Sequence, residues 1–224
     1  IMSIEGTIDL FGEELYFKKL TGIFLGIIII TIVGMADDIK TLKPYQKLIG
    51  QLLAATVVVL FGVQIEHINV PMIAQIGLTK EFSVLLTIIW IVAITNAINL
   101  MDGLDGLSSG ITLISCISLL IIFALNYSPI VSILIITSLI GALVGFLPFN
   151  FTPAKTFIGD TGSNFLGFIL AVVSIMGVAK TYTAMVIVLP MLVLGLPILD
   201  VLWAIARRII KGKSIKAIFK ADNG

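Results

Sequence analysis

An all-α, polytopic integral membrane helix bundle is the fold class this sequence predicts, and three observations predict it. Of the 224 residues, 58% are hydrophobic and only 12% charged, with a mean hydropathy of +1.16, more apolar surface than a water-soluble domain of this size can hide. The apolar residues fall into seven runs, each long enough or nearly so to cross about 30 Å of hydrocarbon, which takes roughly 17 to 25 helical residues. The remaining acidic residues are gathered into short polar motifs between those runs. Inside lipid the backbone must satisfy its own hydrogen bonds, which selects helices; barrel strands would alternate in polarity and be about half as long.

In chain order, residues 1–19, with Glu5, Asp9, Glu13 and Glu14, read as a polar lead-in. The seven transmembrane helices follow at 20–35, 45–63, 82–99, 107–126, 130–147, 163–178 and 183–207. Between the second and third, 63–81 holds Pro71, Gly77 and a partial alternation at Ile65 and Ile68, a loop with room for a short hairpin. Residues 208–224 form a basic tail suited to lying on anionic lipid headgroups. With neither an internal repeat nor a domain boundary, 1–224 reads as a single membrane domain.

Several function classes fall away. A net charge of +1 gives no basic surface for nucleic acid. Cys116 is alone inside an apolar run and His67 is the only histidine, so there is no disulfide framework and no zinc-protease spacing. Gly212-Lys213-Ser214 resembles the tail of a P-loop, but Arg207 stands where its first glycine belongs.

Seven crossings make the loops alternate between two faces. One face receives 36–44, 100–106, 148–162 and the tail, and with them, counting Lys47 and Arg207 at the adjoining helix ends, ten of the fourteen Lys and Arg. The positive-inside rule makes that face cytoplasmic. It also receives Asp37, Asp38, Asp102, Asp105 and Asp160. The central stretch, 96–107, carries Asn96, Asn99, Asp102 and Asp105 at a spacing of three, so the first three can share one helical stripe. Capping of a following helix needs one such residue, and here there are four. Five carboxylates in one place repel unless a cation neutralises them. Oxygen donors without Cys or clustered His select Mg²⁺ or Mn²⁺, completed by substrate phosphates. Gly103, Gly106, Gly159 and Gly162 allow close backbone approach, and Lys47 and Lys155 supply charge, as a diphosphate substrate requires. Asp200, seven residues before Arg207, reads as a snorkelling structural pair.

Met35-Ala-Asp-Asp38, Asn96-Ala-Ile-Asn-Leu-Met-Asp-Gly-Leu-Asp-Gly-Leu107 and Phe157-Ile-Gly-Asp-Thr-Gly-Ser163 occur in the order and on the face found in the polyprenyl-phosphate N-acetylhexosamine-1-phosphate transferases, glycosyltransferase family 4. The resemblance runs from about Leu20 onward and is strongest to bacterial undecaprenyl-phosphate N-acetylglucosamine-1-phosphate transferases. The short 38–47 loop and Pro197-Ile-Leu-Asp200 before Arg207-Arg208 favour that branch over phospho-N-acetylmuramoyl-pentapeptide transferase.

The resemblance implies a Mg²⁺-dependent phosphoglycosyl transferase of the bacterial inner membrane. Its active site would face the cytoplasm, its substrates would be a UDP-N-acetylhexosamine and undecaprenyl phosphate, and a homodimer is left open. It implies metal association for Asn99 and Asp160, catalytic roles for Asp37, Asp38, Asp102 and Lys47, and substrate binding for Asn96, Asp105, Asn150 and Phe157. A lipid phosphate, whose second pKa lies near 6 by analogy with phosphoserine, is mostly a dianion at neutral pH, so Asp37 is expected to orient groups more than to accept a proton. The family's first two helices are expected before Ile1 and its histidine motif after Gly224, so this chain alone is expected to be inactive. Secondary transport is the competing class, and it would put ionisable groups at the bilayer midplane in two related halves; a noncatalytic scaffold is the other.

Overall fold

Long apolar stretches whose few hydroxyls can bond to the carbonyl one turn earlier form helices throughout the computed structural model, which describes residues 10–70, 74–125 and 128–178. The elements are α1 (Leu10–Lys40), α2 (Pro44–Leu60), β1 (His67–Val70), β2 (Ala74–Gly77), α3 (Lys80–Met101), α4 (Leu107–Leu125), α5 (Ile130–Asn150) and α6 (Gly159–Val178). Thr56, Thr87, Thr95, Thr112, Thr137 and Ser138 each donate to the carbonyl four residues back, which lets them sit in apolar helices. Pro44 starts α2, where its missing N–H is no loss.

Five helices among the described residues are long and apolar enough to cross a bilayer. At 17 residues α2 is shorter, about 25 Å by helical rise. Together with exposed apolar side chains such as Phe24, Ile28, Ile32, Leu134 and Val144, this is a multi-pass membrane protein. The seventh expected helix, Asp200, Arg207 and the basic tail lie outside the described residues.

Helix α6 is the centre of the bundle: it packs against α1, α3, α4 and α5, while α4 pairs with α5 and α2 with α1 and α3. Phe168, Leu170, Ala171, Val172 and Val173 on α6 are fully buried. The antiparallel pair β1 and β2, with His67 opposite Gly77, is the hairpin for which 63–81 had room. His67 is exposed on it, away from the polar site described below.

Three boundaries differ from the sequence reading in ways that matter to the site. Helix α1 starts by Leu10 and runs through Lys40, so part of the lead-in is helical and Asp37 and Asp38 stand on a helix instead of in a loop. Helix α5 continues through Pro148 to Asn150, because a proline near a helix end forfeits only one bond. Helix α6 begins at Gly159, four residues before the expected 163, because its first amides are capped from another helix.

Candidate active site

The end of α1, the start of α2, the end of α3 and the start of α6 meet around the ammonium of Lys47. Its Nζ lies 2.6 Å from Asp160 Oδ1 and 3.1 Å from Asn99 Oδ1 and forms an ion pair with Asp37 Oδ2. Asn99 Nδ2 donates to Asp160 Oδ1 at 2.6 Å and to Ser163 Oγ at 2.8 Å. Asp37 is buried and its other oxygen accepts the Leu42 amide at 2.6 Å. Both of its oxygens are therefore committed, one to the α1–α2 turn and one to Lys47. That turn is tight enough to hold Thr41 at a left-handed φ of 45°, a conformation a β-branched residue adopts only under constraint.

Asp38 reaches from α1 to the first turn of α6. Its Oδ1 accepts the Asp160 amide at 2.8 Å, and its Oδ2 accepts the Thr161 amide at 3.0 Å and the Thr161 hydroxyl. A carboxylate there satisfies orphan helix N–H groups and meets the positive end of the helix dipole. Gly159 precedes these amides at φ +67°, and a Cβ on it would stand 3.2 Å from both Asp38 oxygens. Glycine is required for the backbone angle and for the approach of the carboxylate.

Across from α6, the turn after α3 carries Asp102 and Asp105. Asp102 Oδ1 accepts from Ser108 Oγ at 2.6 Å, and Asp105 Oδ2 accepts the Ala154 amide at 3.1 Å. Asn150, buried at the end of α5, accepts from Ser109 and donates to the Thr156 carbonyl, fixing the 151–158 loop. Between these parts lies a cleft of about 340 Å³ whose polar lining includes Asp38, Asn99, Asp102, Asp105, Asn150 and Asp160. Phe157 forms its rim, 73% exposed. Partial burial pushes the Asp102 carboxyl above its ordinary range, against the Ser108 hydroxyl, and the charges of Asp160 and Asp38 push it the same way.

Of the residues the sequence singled out, Asp38, Asn99, Asp102, Asp105, Asn150, Phe157 and Asp160 line this cleft, Lys47 stands beside it in contact with Asp160, and Asp37 is paired with Lys47. Asn96 does not line it. Its amide pairs with Gln51 on α2, because six residues of helix set it roughly 9 Å deeper than Asp102. Lys155 is exposed on the loop and outside the lining. Nor do the five carboxylates form one cluster: among the described residues no group of three or more acid, histidine or cysteine side chains is placed to hold a metal ion. Asp37, Asp38, Asp102 and Asp105 each have protein donors of their own. Gln51, Thr161, Ser163 and Asn164 were missed as partners; the available signal was polar side chains in apolar spans, Gln51 one turn from Lys47 and Asn164 one turn from Asp160.

A family model for glycosyl transferase family 4 matches residues 20–178, which includes all of the cleft. The chain belongs to glycosyl transferase family 4. Within the family it is 39% identical over 199 residues to the "Probable undecaprenyl-phosphate N-acetylglucosaminyl 1-phosphate transferase" of Bacillus subtilis, covering 89% of this chain and 55% of that protein. It is 35% identical over 222 residues to the decaprenyl-phosphate N-acetylglucosaminephosphotransferase of Mycobacterium leprae, with the same two coverages, 89% and 55%. Similarity extends to the phospho-N-acetylmuramoyl-pentapeptide-transferase of Streptococcus thermophilus, 40% over 175 residues, 73% of this chain and 50% of that one. The chain thus spans about half the length of the curated relatives it matches.

Proposed function

We propose that the full-length protein transfers N-acetylhexosamine 1-phosphate, with N-acetylglucosamine as the sugar, from a UDP-sugar to undecaprenyl phosphate and releases UMP, priming a cell-envelope polysaccharide. The observation that carries this reading is the acidic cleft with Lys47 at its edge. Four aspartates and, among the described residues, no basic side chain line it, which favours entry of an anionic diphosphate together with a cation. Asp160 and Asp102 each keep one carboxylate oxygen that accepts nothing from a described residue. Two carboxylates and an amide oxygen fit Mg²⁺ or Mn²⁺, which takes few protein ligands and completes its shell from phosphates and water. Asp160 and Asn99 would hold it, and when bound it would neutralise charge on the diphosphate.

The lipid phosphate attacks the sugar-linked phosphorus in line; the new P–O bond forms as the bond to UMP breaks, and UMP carries away the electron pair. Lys47, aimed by Asp37, stabilises the negative charge that develops on the transferred group. Asp37, held by the Leu42 amide and ion-paired with Lys47, orients Lys47. Asp105, Asn150 and Phe157 surround the nucleotide base. The basic residues Lys40, Lys43 and Lys47 at this end of the bundle support a cytoplasmic site in the bacterial inner membrane.

The test is an exchange assay on the full-length protein with a panel of UDP-sugars, scoring the return of labelled UMP. UDP-N-acetylglucosamine should exchange, and Asp160→Asn or Lys47→Met should cost about 10²- to 10³-fold in rate without loss of fold. Exchange with UDP-N-acetylmuramoyl-pentapeptide alone would move the protein to the other branch of the family. Asp37→Asn should lose rate evenly across pH. A loss confined to pH values where the lipid phosphate is monoanionic would instead make Asp37 a general base.

A further inference from the structure

One helical turn below the Lys47 constellation, three of its four helices, α2, α3 and α6, carry a second layer of polar side chains, none of which lines the cleft. Gln51 on α2 exchanges hydrogen bonds with Asn96 on α3, Nε2 to Oδ1 at 3.2 Å and Nδ2 to Oε1 at 2.6 Å. The Gln51 amide also donates to Asn164 Oδ1 on α6 at 3.0 Å. Gln51 and Asn164 are 1% and 0% exposed, so these are amides placed deliberately deep in apolar helices. Asn96 gives its other hydrogen to the Val92 carbonyl, and Asn164 gives one to the carbonyl of Asp160. Every interhelical group in the layer is matched, as a buried polar network must be to specify one packing.

The spacing ties this layer to the site above it. Gln51 is four residues from Lys47, Asn96 three from Asn99 and Asn164 four from Asp160, and residues so spaced lie one above the other on a helix. Each amide therefore stands under one member of the upper group. In hydrocarbon, apolar side chains can slide past one another with little change in energy, whereas directional amide pairs cannot. We infer that Gln51, Asn96 and Asn164 are positioning residues, a buried amide lock that fixes the relative register of α2, α3 and α6 and so holds Lys47, Asn99 and Asp160 together. The part of this inference that concerns turnover rests on the proposed transfer reaction; the part that concerns Lys47 does not.

The test uses the full-length protein in detergent with Gln51→Leu, which keeps bulk but cannot bond, and the exchanged pair Gln51→Asn/Asn96→Gln, which returns one long and one short amide across the same gap. Acetylation of Lys47, read by mass spectrometry against the exposed Lys40, reports the constellation directly. Lys47 should be at least about tenfold protected in the wild type, lose that protection in folded Gln51→Leu and regain it in the exchanged pair, the protection reflecting local opening. In turnover, kcat should fall about 10²-fold in Gln51→Leu with KM nearly unchanged, the scale of a misplaced catalytic group, and Lys47→Met should add no further loss. Undiminished protection of Lys47 in folded Gln51→Leu, or an activity loss that adds fully to that of Lys47→Met, would overturn the lock. Should Gln51→Leu not fold, Asn164→Ala takes its place with the same two outcomes. A wild type that transfers no sugar phosphate would sink the functional reading alone, since acetylation still decides the lock.

Discussion

Helices α5 and α6 are nearly the same length, 21 and 20 residues, and both are apolar enough to span a membrane, yet their most apolar windows are 22% and 72% buried. The more apolar of the two is the more exposed, so hydrophobicity does not drive burial here: lipid and protein interior are similar solvents for Leu and Ile. What distinguishes them is where their polar groups point. On α6, Asp160 bonds to α2 and α3, Thr161 to α1, Ser163 to α3, Asn164 to α2 and Ser174 to Trp90 of α3. Among the described residues of α5, Thr137 and Ser138 bond only to carbonyls of their own helix, Ser132 is buried without a hydrogen-bond partner, and the helix meets the site through its last residue, Asn150. A central membrane helix is thus recognised by polar side chains that leave it, a peripheral one by polar side chains that fold back.

Glycine substitution gives the sharpest way to break that contrast. A Cβ on Gly34 of α1 would lie 2.5 Å from the Thr161 Cα on α6, whereas one on Gly145 of α5 meets nothing within 4 Å. Backbone cannot rotate aside as a side chain can, so Gly34→Ala must push α1 and α6 apart, with a cost of about 1–3 kcal/mol and loss of the Asp38 cap. Gly145→Ala should change stability by no more than about 0.5 kcal/mol. Thermal unfolding in detergent measures both, and equal effects would mean that α6 is not the centre the packing makes it.

A smaller difference separates two serines that the sequence treats alike. Ser109 donates to the buried oxygen of Asn150 at 2.6 Å, while Ser138 donates to Leu134 on its own helix and is exposed. Ser109→Ala leaves a buried acceptor without its donor and should cost about 1–2 kcal/mol, with a weaker hold on the 151–158 loop seen as faster proteolysis there. Ser138→Ala should be silent by both measurements.

The membrane class and the gathering of the three motifs at one end were legible because both follow from counting: run lengths against bilayer thickness, and two crossings between successive motifs. The pairing inside the site was not. Asp38 caps a helix 122 residues away and Lys47 meets Asp160 across 113, and no local pattern encodes either contact. Asn96 stands outside the cleft lining for a geometric reason. A stripe of residues three apart drifts about 60° at each step and sinks into the bilayer, so the motif that brings Asn99 and Asp102 to the cleft carries Asn96 into the helix interface. The seven-helix count rests on a span outside the described residues.

The mildest expected effect concerns the charge facing α6 across the cleft. Asp102 has its carboxyl raised from an ordinary value of 3.8 by burial, with Asp160 and Asp38 adding repulsion, whereas the α5 side of the cleft presents the neutral Asn150. Below the ordinary value Asp102 is protonated in both folded and unfolded chains and contributes nothing to the pH dependence. As pH rises past it, the unfolded chain releases its proton first, so stability is lost until the raised folded value is passed and is constant above. In a chelating buffer, Asp102→Asn should therefore melt higher than wild type at pH 7 and level with it near pH 3.5, by a small margin because the group is only partly buried. Asp160→Asn in the same background removes one source of the repulsion and should shrink that margin, while Asn150→Ala should leave its pH dependence intact. A gain that persists unchanged into acid would mean that packing, and not the charge opposite α6, sets the behaviour of Asp102.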